Sequence, residues 1–389
     1  MKTLVLGGYG NFGARICRAL SGDTAITLVV GGRDLGKARK LVDELGGDSA
    51  ATPMALDHAR ADFAERLHAA GIELVIHAAG PFQDQGYGVA RAAAAAGAHY
   101  IDLADGRRFV CDFQAALDAS FRAAGRTAIS GASTVPALSS AVVDHLCSGW
   151  QAIDSIDICI APAQTAPRGR ATLAAVLGYC GAPLRIWEGG RWITRAGWAN
   201  PETVSFARLS PRLGALCDIP DLELFPTHYR ARQRVMFRAA LEVALTQRVF
   251  AGLAALCSRG IFKRPERLAG MLDFAAPGLD FLGSALGGMV VRVEGCDAAG
   301  KTSKRAWHLT ADNDKGPEIP CMAAILLARK IAHGAAQPVG ARACMSQLGL
   351  AEFEPEFARY GMVTDVVEEL AGSMLTPPPR DNSGQDRAA

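Results

Sequence analysis

The chain opens with the stretch Thr3-Leu-Val-Leu-Gly-Gly-Tyr-Gly-Asn-Phe-Gly13. Its first four residues predict a short buried strand, and the apolar periodicity of residues 12–20 predicts a helix immediately after it. Gly8, Gly10 and Gly13 between them have the spacing G-x-G-x-x-G. In this context they predict a tight turn, a close backbone approach to a pyrophosphate, and close packing of the helix on the strand.

The same alternation of apolar strands and helical segments continues outward to residue 135. Strands are predicted at residues 3–6, 26–30, 51–56, 74–77, 100–103 and 127–130. Strands that alternate with helices form parallel sheets with right-handed crossovers. We therefore expect an α/β fold in which the first domain is a doubly wound Rossmann sheet.

The end of the second strand reads Val30-Gly-Gly-Arg-Asp34 and bears on the choice of cofactor. A site for NAD places an acidic side chain there, against the ribose 2′-hydroxyl. Here a glycine occupies that position and Arg33 follows, so a 2′-phosphate has both space and a guanidinium partner. This pattern predicts NADP(H), with Lys37 and Arg39 adding positive potential. We interpret Asp34 as the N-cap of the next helix rather than as a ribose ligand.

Further cofactor contacts are expected beyond the other strands. Ala79, Gly80, Pro81 and Phe82 follow the fourth strand, where a dinucleotide would cross the sheet. Asp57 is interpreted either as a contact to the adenine edge or as a plain turn residue. Ser133, with its neighbour Thr134, is expected near the nicotinamide or the substrate. The complete predicted cofactor set is Gly8, Tyr9, Gly10, Asn11, Phe12, Gly13, Arg33, Asp57, Ala79, Gly80, Pro81, Phe82 and Ser133.

Hydride transfer also needs an acid or base near the reacting carbon. Asp102 and Asp105, near the carboxyl end of the fifth strand, are the predicted catalytic residues, and no metal site is predicted. From the second domain, Arg168 and Arg170 are candidates to hold a carboxylate. A later polar stretch is interpreted as a surface loop rather than as part of the site; it contains Asp218, Asp221, Glu223, His228 and Tyr229.

After residue 150 the apolar pattern changes to strict alternation, as at Ile156, Ile158 and Ile160. Hairpins are predicted at 184–194 and 288–310, so the second domain should contain an antiparallel sheet. Residues 235–287 are unusually apolar and are interpreted as helical. They would pack within their own domain or form a dimer interface; a cover for an apolar substrate, or a lipid-contacting surface, is the alternative.

Several of these segments resemble the saccharopine dehydrogenase-like, NADP-binding reductases. The resemblance lies in residues 4–13, Gly32-Arg33, Ala78–Phe82 and Ala98-His-Tyr-Ile-Asp-Leu103, and more weakly in residues 131–136 and 316–320. It implies an NADP-binding Rossmann domain (1–135), an α+β substrate or dimerisation domain with an antiparallel sheet (136–315), and C-terminal helices that return to the first domain (316–373). A disordered tail is expected at 374–389.

The resemblance implies an NADP(H)-dependent oxidoreductase that transfers hydride to or from a small organic substrate. The expected group is C=N or C=O on an amino-acid-like molecule, although residues 160–310 do not resemble the lysine-pathway enzymes. Two alternatives stay open. One is a trans-acting enoyl reductase for a lipid or polyketide, and the other is a non-catalytic NADP(H)-binding protein.

Bulk composition limits the partners. The formal net charge is +2, which gives no electrostatic case for nucleic acid or an anionic membrane. No apolar run is long enough to span a bilayer, no signal peptide is visible, and the ten cysteines show no metal-site spacing. We expect a cytoplasmic protein with reduced thiols and a small-molecule substrate. A homodimer and peripheral lipid contact stay open.

Overall fold

A computed structural model describes residues 1–46, 51–166, 177–262, 264–271 and 276–368. Two sheets organise these residues. The first is a seven-stranded, all-parallel sheet with the order β15-β6-β5-β4-β1-β2-β3, and the second is a mainly antiparallel sheet. The predicted fold class is therefore confirmed.

The first sheet has the Rossmann order with one additional edge strand. Its strands are β1 Lys2–Leu6, β2 Thr27–Gly32, β3 Thr52–Ala55, β4 Leu74–His77, β5 His99–Asp102, β6 Thr127–Ser130 and β15 Gly340–Ala343. The helices between them are α1 Asn11–Leu20, α2 Leu35–Leu45, α3 Phe63–Ala69, α4 Gly88–Ala95, α5 Arg107–Cys111 and α6 Phe113–Ala123. All six predicted strands are present, and their carboxyl ends lie along one edge, as parallel strands require.

A kinked segment then leads away from the first sheet. It consists of a π-helical turn, Thr134–Leu138, and α7, Ser139–Leu146. The second sheet follows and contains β7 Ala152–Ala161, β8 Pro183–Glu188, β9 Arg191–Ala196, β10 Glu202–Val204, β11 Arg212–Leu216, β12 Arg234–Ala240, β13 Gly287–Cys296, β14 Thr302–Ala311 and β16 Val363–Glu368. The two predicted hairpins are β8–β9 and β13–β14.

The remaining helices are α8 Asp221–His228, α9 Ala244–Ser258, α10 Ile319–Ala332 and α11 Leu350–Arg359. The helical interpretation of residues 235–287 is wrong at its start, because β12 lies inside the second sheet and pairs with β7 in parallel. β12 buries Val235 and Phe237, whereas Arg234 and Arg238 each form an ion pair with Asp157. A short apolar run of this kind is ambiguous between strand and helix when read from sequence.

The C-terminal segment contributes to both sheets. α10 packs against α1, β15 extends the first sheet beside β6, and β16 joins the second sheet beside β14. It therefore supplies two strands in addition to the predicted helices. One large core joins a face of the first sheet to the inner face of the second, through residues such as Ile101, Ile158 and Trp307. The domain boundaries themselves stay a proposal.

Candidate active site

The turn after β1 is built on four glycines rather than three. Gly7 has a positive φ of 81°, and the amides of Gly7 and Gly8 both donate to the carbonyl of Gly31 on β2. Gly7 therefore makes the tight turn that the sequence analysis assigned to Gly8. The doubled glycine was the available sequence signal, since only the second of the pair fits the motif.

The loop has no space for a side chain at Gly8 or Gly13. A Cβ at Gly13 would lie 2.1 Å from the Gly7 carbonyl oxygen, and one at Gly8 would lie 2.9 Å from the Val5 carbonyl oxygen. α1 therefore starts directly against the loop, and its N-cap residue, Gly10, has no side chain to cap it. The N–H groups of a helix's first turn have no intrahelical partner, and the helix dipole adds positive potential there. This geometry fits a pyrophosphate.

Tyr9 shapes the end of β2. Its hydroxyl accepts a hydrogen bond from the Asp34 amide at 2.9 Å, and a Cβ at Gly32 would lie 2.5 Å from its ring. The glycine thus makes room for the Tyr9 ring, and not only for a phosphate as the sequence suggested. Arg33 and Lys37 are both exposed. Asp34 accepts from the Lys37 amide at 3.1 Å, which confirms that it is the N-cap of α2.

The backbone of the loop after β4 is fixed by hydrogen bonds from the Gln85 side chain. Gln85 donates to the carbonyls of Ala79 and Pro81 at 2.8 and 2.7 Å, while Gly80 and Pro81 are exposed. Phe82 is buried, and its ring packs 5.0 Å from that of His77 and 5.3 Å from that of Phe109. The Phe82 ring therefore belongs to the core.

Two of the predicted polar residues have local structural contacts. Asp57 accepts from the Ala59 amide at 3.1 Å, which is the arrangement of a turn aspartate. Ser133 and Thr134 lie at the start of the kinked segment after β6, and both are largely buried. Arg168 and Arg170 lie outside the described residues.

Asp102 and Asp105 have different surroundings although three positions separate them. Asp102 is fully buried, and its Oδ1 accepts from the Gly131 amide, the Ala104 amide and the Ser130 hydroxyl at 2.8–3.0 Å. Burial raises its pKa to about 6, and these hydrogen bonds oppose that rise. Asp102 therefore ties the ends of β5 and β6 together, out of contact with solvent.

Asp105 is open to solvent at the same edge of the sheet. It accepts a hydrogen bond from Gln83 Nε2 at 3.2 Å, and it interacts electrostatically with Tyr179 and Cys217 of the second domain. The surrounding protein raises the pKa of Asp105 even though its side chain is exposed. Asp105 therefore lies at the carboxyl edge of the first sheet, close enough to the second domain to act on these two residues.

Arg107, two residues from Asp105, joins the two domains. It is buried, and it donates to Glu223 Oε2 at 2.9 Å, to Asp218 Oδ1 at 3.0 Å and to the Arg185 carbonyl at 2.8 Å. These contacts join α5 of the first domain to β8 and α8 of the second. Burial raises the pKa of Asp218, and Arg107 opposes that rise.

The polar stretch 218–229 is therefore not a surface loop. Asp221 is fully buried at the start of α8 and accepts a hydrogen bond from Ser139, and burial raises the pKa of its carboxyl to about 7. Tyr229 donates to Asp144 Oδ1 at 2.9 Å, so α8 is held against α7. Sequence reasoning missed Gln83, Arg107 and Tyr179, because no motif marks them.

A separate cavity of about 290 Å³ lies on the other face of the second sheet. Arg234 and Arg238 in its wall are ion-paired with Asp157 and Glu202 at 2.5 Å, and Arg292 donates to the Ser205 carbonyl at 2.6 Å. Its charges largely neutralise one another within the sheet. It lies on the face turned away from the core that joins the two domains, so we do not include it in the site.

Comparison with known proteins agrees with this geometry. Residues 3–129 match the family described as the saccharopine dehydrogenase NADP binding domain. No curated protein sequence matches the chain. Saccharopine dehydrogenase (L-Glu forming) from Saccharomyces cerevisiae is similar in structure, with a TM-score of 0.65, 13% identity, and coverage of 95% of this chain and 100% of that one. Homospermidine synthase from Legionella pneumophila, in complex with NAD, gives a TM-score of 0.56, 10% identity, and coverage of 98% and 95%.

The fold, the glycine loop and the family match define a Rossmann domain for NADP(H), which supports an oxidoreductase. Residues 3–129 match the saccharopine dehydrogenase NADP-binding family, so the predicted resemblance and cofactor are confirmed. The structural similarities, at 10–13% identity, show the shared two-domain fold. In the part of the chain that the structure describes, no helix has both the length and the apolar character needed to cross a membrane.

Proposed function

We propose that the chain transfers hydride between NADP(H) and a C=N or C=O group of a small, amino-acid-like substrate bound between the two domains. The observation that carries the proposal is Asp105, an accessible carboxyl with a raised pKa at the carboxyl edge of the sheet. Ligands of doubly wound sheets bind along that edge. Substrate would therefore meet Asp105 from the first domain and Tyr179 from the second.

The cofactor's contacts are assigned within this proposal. The uncapped start of α1 would hold the pyrophosphate, Arg33 the 2′-phosphate, and the backbone of Gly80 and Pro81 would border the nicotinamide. NADPH, when bound, supplies the hydride that reduces the substrate carbon. The protein's own task is then to orient that carbon and to provide the proton that completes the new N–H or O–H bond.

Asp105 suits the proton-transfer role. A raised pKa keeps more of this carboxyl protonated near neutral pH than an ordinary aspartic acid, so it can donate a proton in the reductive direction. The Gln83 amide fixes the orientation of the carboxyl. Arg107 fixes the second domain beside it.

The test measures NADPH oxidation with 2-oxo acids, alone and combined with primary amines, and compares Asp105→Asn with the parent protein. We expect kcat to fall about 100- to 10,000-fold, as for loss of a general acid, with NADPH affinity unchanged. Asp84→Asn is the matched control, since Asp84 is exposed on the neighbouring loop. Full turnover by Asp105→Asn would exclude this residue as the acid.

One observation favours the second candidate, a trans-acting enoyl reductase for a lipid or polyketide. α9 has exposed apolar side chains and packs behind the turn that carries Tyr179, where a Cβ at Gly181 would lie 2.5 Å from the Ala254 carbonyl oxygen. Oxidation of NADPH by acyl-thioester enoyl substrates, and not by oxo acids, would favour this activity. NADPH binding without turnover of either class would favour the non-catalytic alternative. A cytoplasmic location and a homodimer stay predictions.

A further inference from the structure

Exposed apolar side chains are concentrated in one part of the second domain. Ten large hydrophobic residues are exposed among the described residues, and seven of them lie between residues 245 and 282. Phe281 is 80% exposed and Ile261 is 68% exposed. Single exposed hydrophobic residues are ordinary on a protein surface, whereas a group of this kind marks a contact site.

The exposed residues of α9 form a stripe along the helix. Leu245, Val249, Gly252 and Leu256 follow one another at intervals of four, three and four residues, and all are exposed. This is the spacing of one helical face. The opposite face packs inward through Phe250, whose ring lies 5.0 Å from that of Trp198.

Two neighbouring segments extend the stripe. Ile261 lies just beyond the end of α9, where its amide donates to the Leu256 carbonyl at 3.0 Å. The 3₁₀ helix Ala276–Leu282, which carries Phe281, is held beside the start of α9, because Ser284 donates to Glu242 at 2.6 Å. We name Leu245, Val249, Leu256, Ile261 and Phe281 together the α9 face.

Basic residues surround the α9 face. From residue 242 to residue 282, the span of the α9 face, the sequence contains five basic and four acidic residues. Of the acidic residues, Glu242 is ion-paired with Arg212, and Asp280 accepts a hydrogen bond from Gln164. Arg248, Arg259, Arg264 and Arg267 are all exposed. The net charge of the chain gave no case for an anionic membrane, but these exposed arginines beside the apolar stripe do.

We propose that the α9 face docks on an anionic lipid surface. An apolar stripe bordered by arginines is the pattern of helices that lie in the membrane interface, where the stripe enters the acyl boundary and the arginines meet the headgroups. A second copy of the chain fits less well, because an isologous dimer places the same patch on both sides and would bring like charges together. Docking there would hold the turn that carries Tyr179 near the lipid surface.

The test is co-sedimentation of the full chain with vesicles of phosphatidylcholine alone, or of phosphatidylcholine and phosphatidylglycerol in equal parts. We expect binding to the mixed vesicles that weakens as salt increases. The double variant Arg248→Glu/Arg259→Glu should bind at least roughly 30-fold more weakly, since each basic residue near an anionic surface contributes about fivefold. Arg191→Glu, an exposed arginine on the β9 hairpin, is the charge control and should bind as the parent does.

Ile261→Ser and Phe281→Ser test the apolar contribution, and Val366→Ser, exposed on β16, is their matched control. Only the first two should reduce binding, and thermal unfolding should show that every variant is folded. Failure of the parent chain to bind mixed vesicles, or equal binding to neutral ones, would overturn the proposal. A dimer in sedimentation velocity that Ile261→Ser dissociates, without vesicle binding, would assign the α9 face to a second copy instead.

Discussion

Replacement of Gly13 by alanine tests whether close packing of α1 on the glycine loop positions the cofactor. The added Cβ would lie 2.1 Å from the Gly7 carbonyl oxygen and 2.8 Å from the Gly7 carbonyl carbon. Comfortable contacts lie near roughly 3.5 Å, so backbone must move by about 1 Å or more. Because the obstacle is backbone rather than a flexible side chain, the loop and the start of α1 must separate.

Two effects on stability oppose each other. Alanine gains up to ~1 kcal/mol over glycine in a helix. Overpacking costs roughly 1–3 kcal/mol, so we expect a net loss in the free energy of unfolding of up to about 2 kcal/mol. Displacing the loop should also cost one or two charge-assisted hydrogen bonds to the pyrophosphate, each worth roughly 1.5–3 kcal/mol, so Kd for NADPH should rise at least about tenfold.

Gly252→Ala in α9 is the matched control, since a Cβ there meets no atom within 4 Å. It should be neutral or slightly stabilising, and it should leave NADPH binding unchanged. The assays are titration of NADPH fluorescence and chemical denaturation. A Gly13→Ala protein that binds NADPH within twofold of the parent, at unchanged stability, would refute the role assigned to this contact.

Three further predictions concern charged residues. Arg33→Asp should reverse or abolish the preference for NADPH over NADH, and equal binding of both by the parent protein would contradict the assignment. Arg107→Met should lower the free energy of unfolding by roughly 2–4 kcal/mol, because it leaves buried carboxylates unpaired, whereas Arg60→Met, at an exposed pair, should change little in the same denaturation experiment. For Asp221 the folded pKa of about 7 exceeds the ordinary value, so the unfolded chain binds fewer protons between about pH 4 and 7. Stability should therefore fall with rising pH in that window, by up to ~1.4 kcal/mol per pH unit, and Asp221→Asn should flatten the slope.

Much of the first domain could be predicted because its signals are local. The glycine spacing, the apolar strands and Arg33 all lie within short segments whose geometry follows from sequence. The hairpins β8–β9 and β13–β14 could also be predicted, since each consists of two strands with alternating apolar and polar residues around a turn. The role of a single residue was mispredicted where it depends on a neighbouring side chain. At Gly32, for example, the missing side chain makes room for the Tyr9 ring.

The elements that were missed depend on distant partners. β15, Gly-Ala-Arg-Ala at 340–343, has no distinctive apolar pattern and is a strand because it pairs with β6. β12 reads as helix or strand until β7 is placed beside it. Asp102 and Asp105 look alike in sequence, and only the contact with Gly131, 29 residues from Asp102, separates the buried carboxyl from the accessible one.

The same contrast applies to the two halves of the site. The proposed pyrophosphate and 2′-phosphate contacts lie within one strand–helix–strand unit, so the choice between NADP(H) and NAD(H) follows from nearby residues such as Arg33. The proposed substrate half, the cleft between the domains, joins three distant segments, around Asp105, Tyr179 and Asp218. Arg107 reaches 111 and 116 residues along the chain to Asp218 and Glu223. Cofactor preference and substrate preference should therefore respond to different substitutions. A change at Arg33 should alter nucleotide binding while leaving the cleft intact, whereas a change at Arg107 should disturb the cleft and leave the glycine loop as it is.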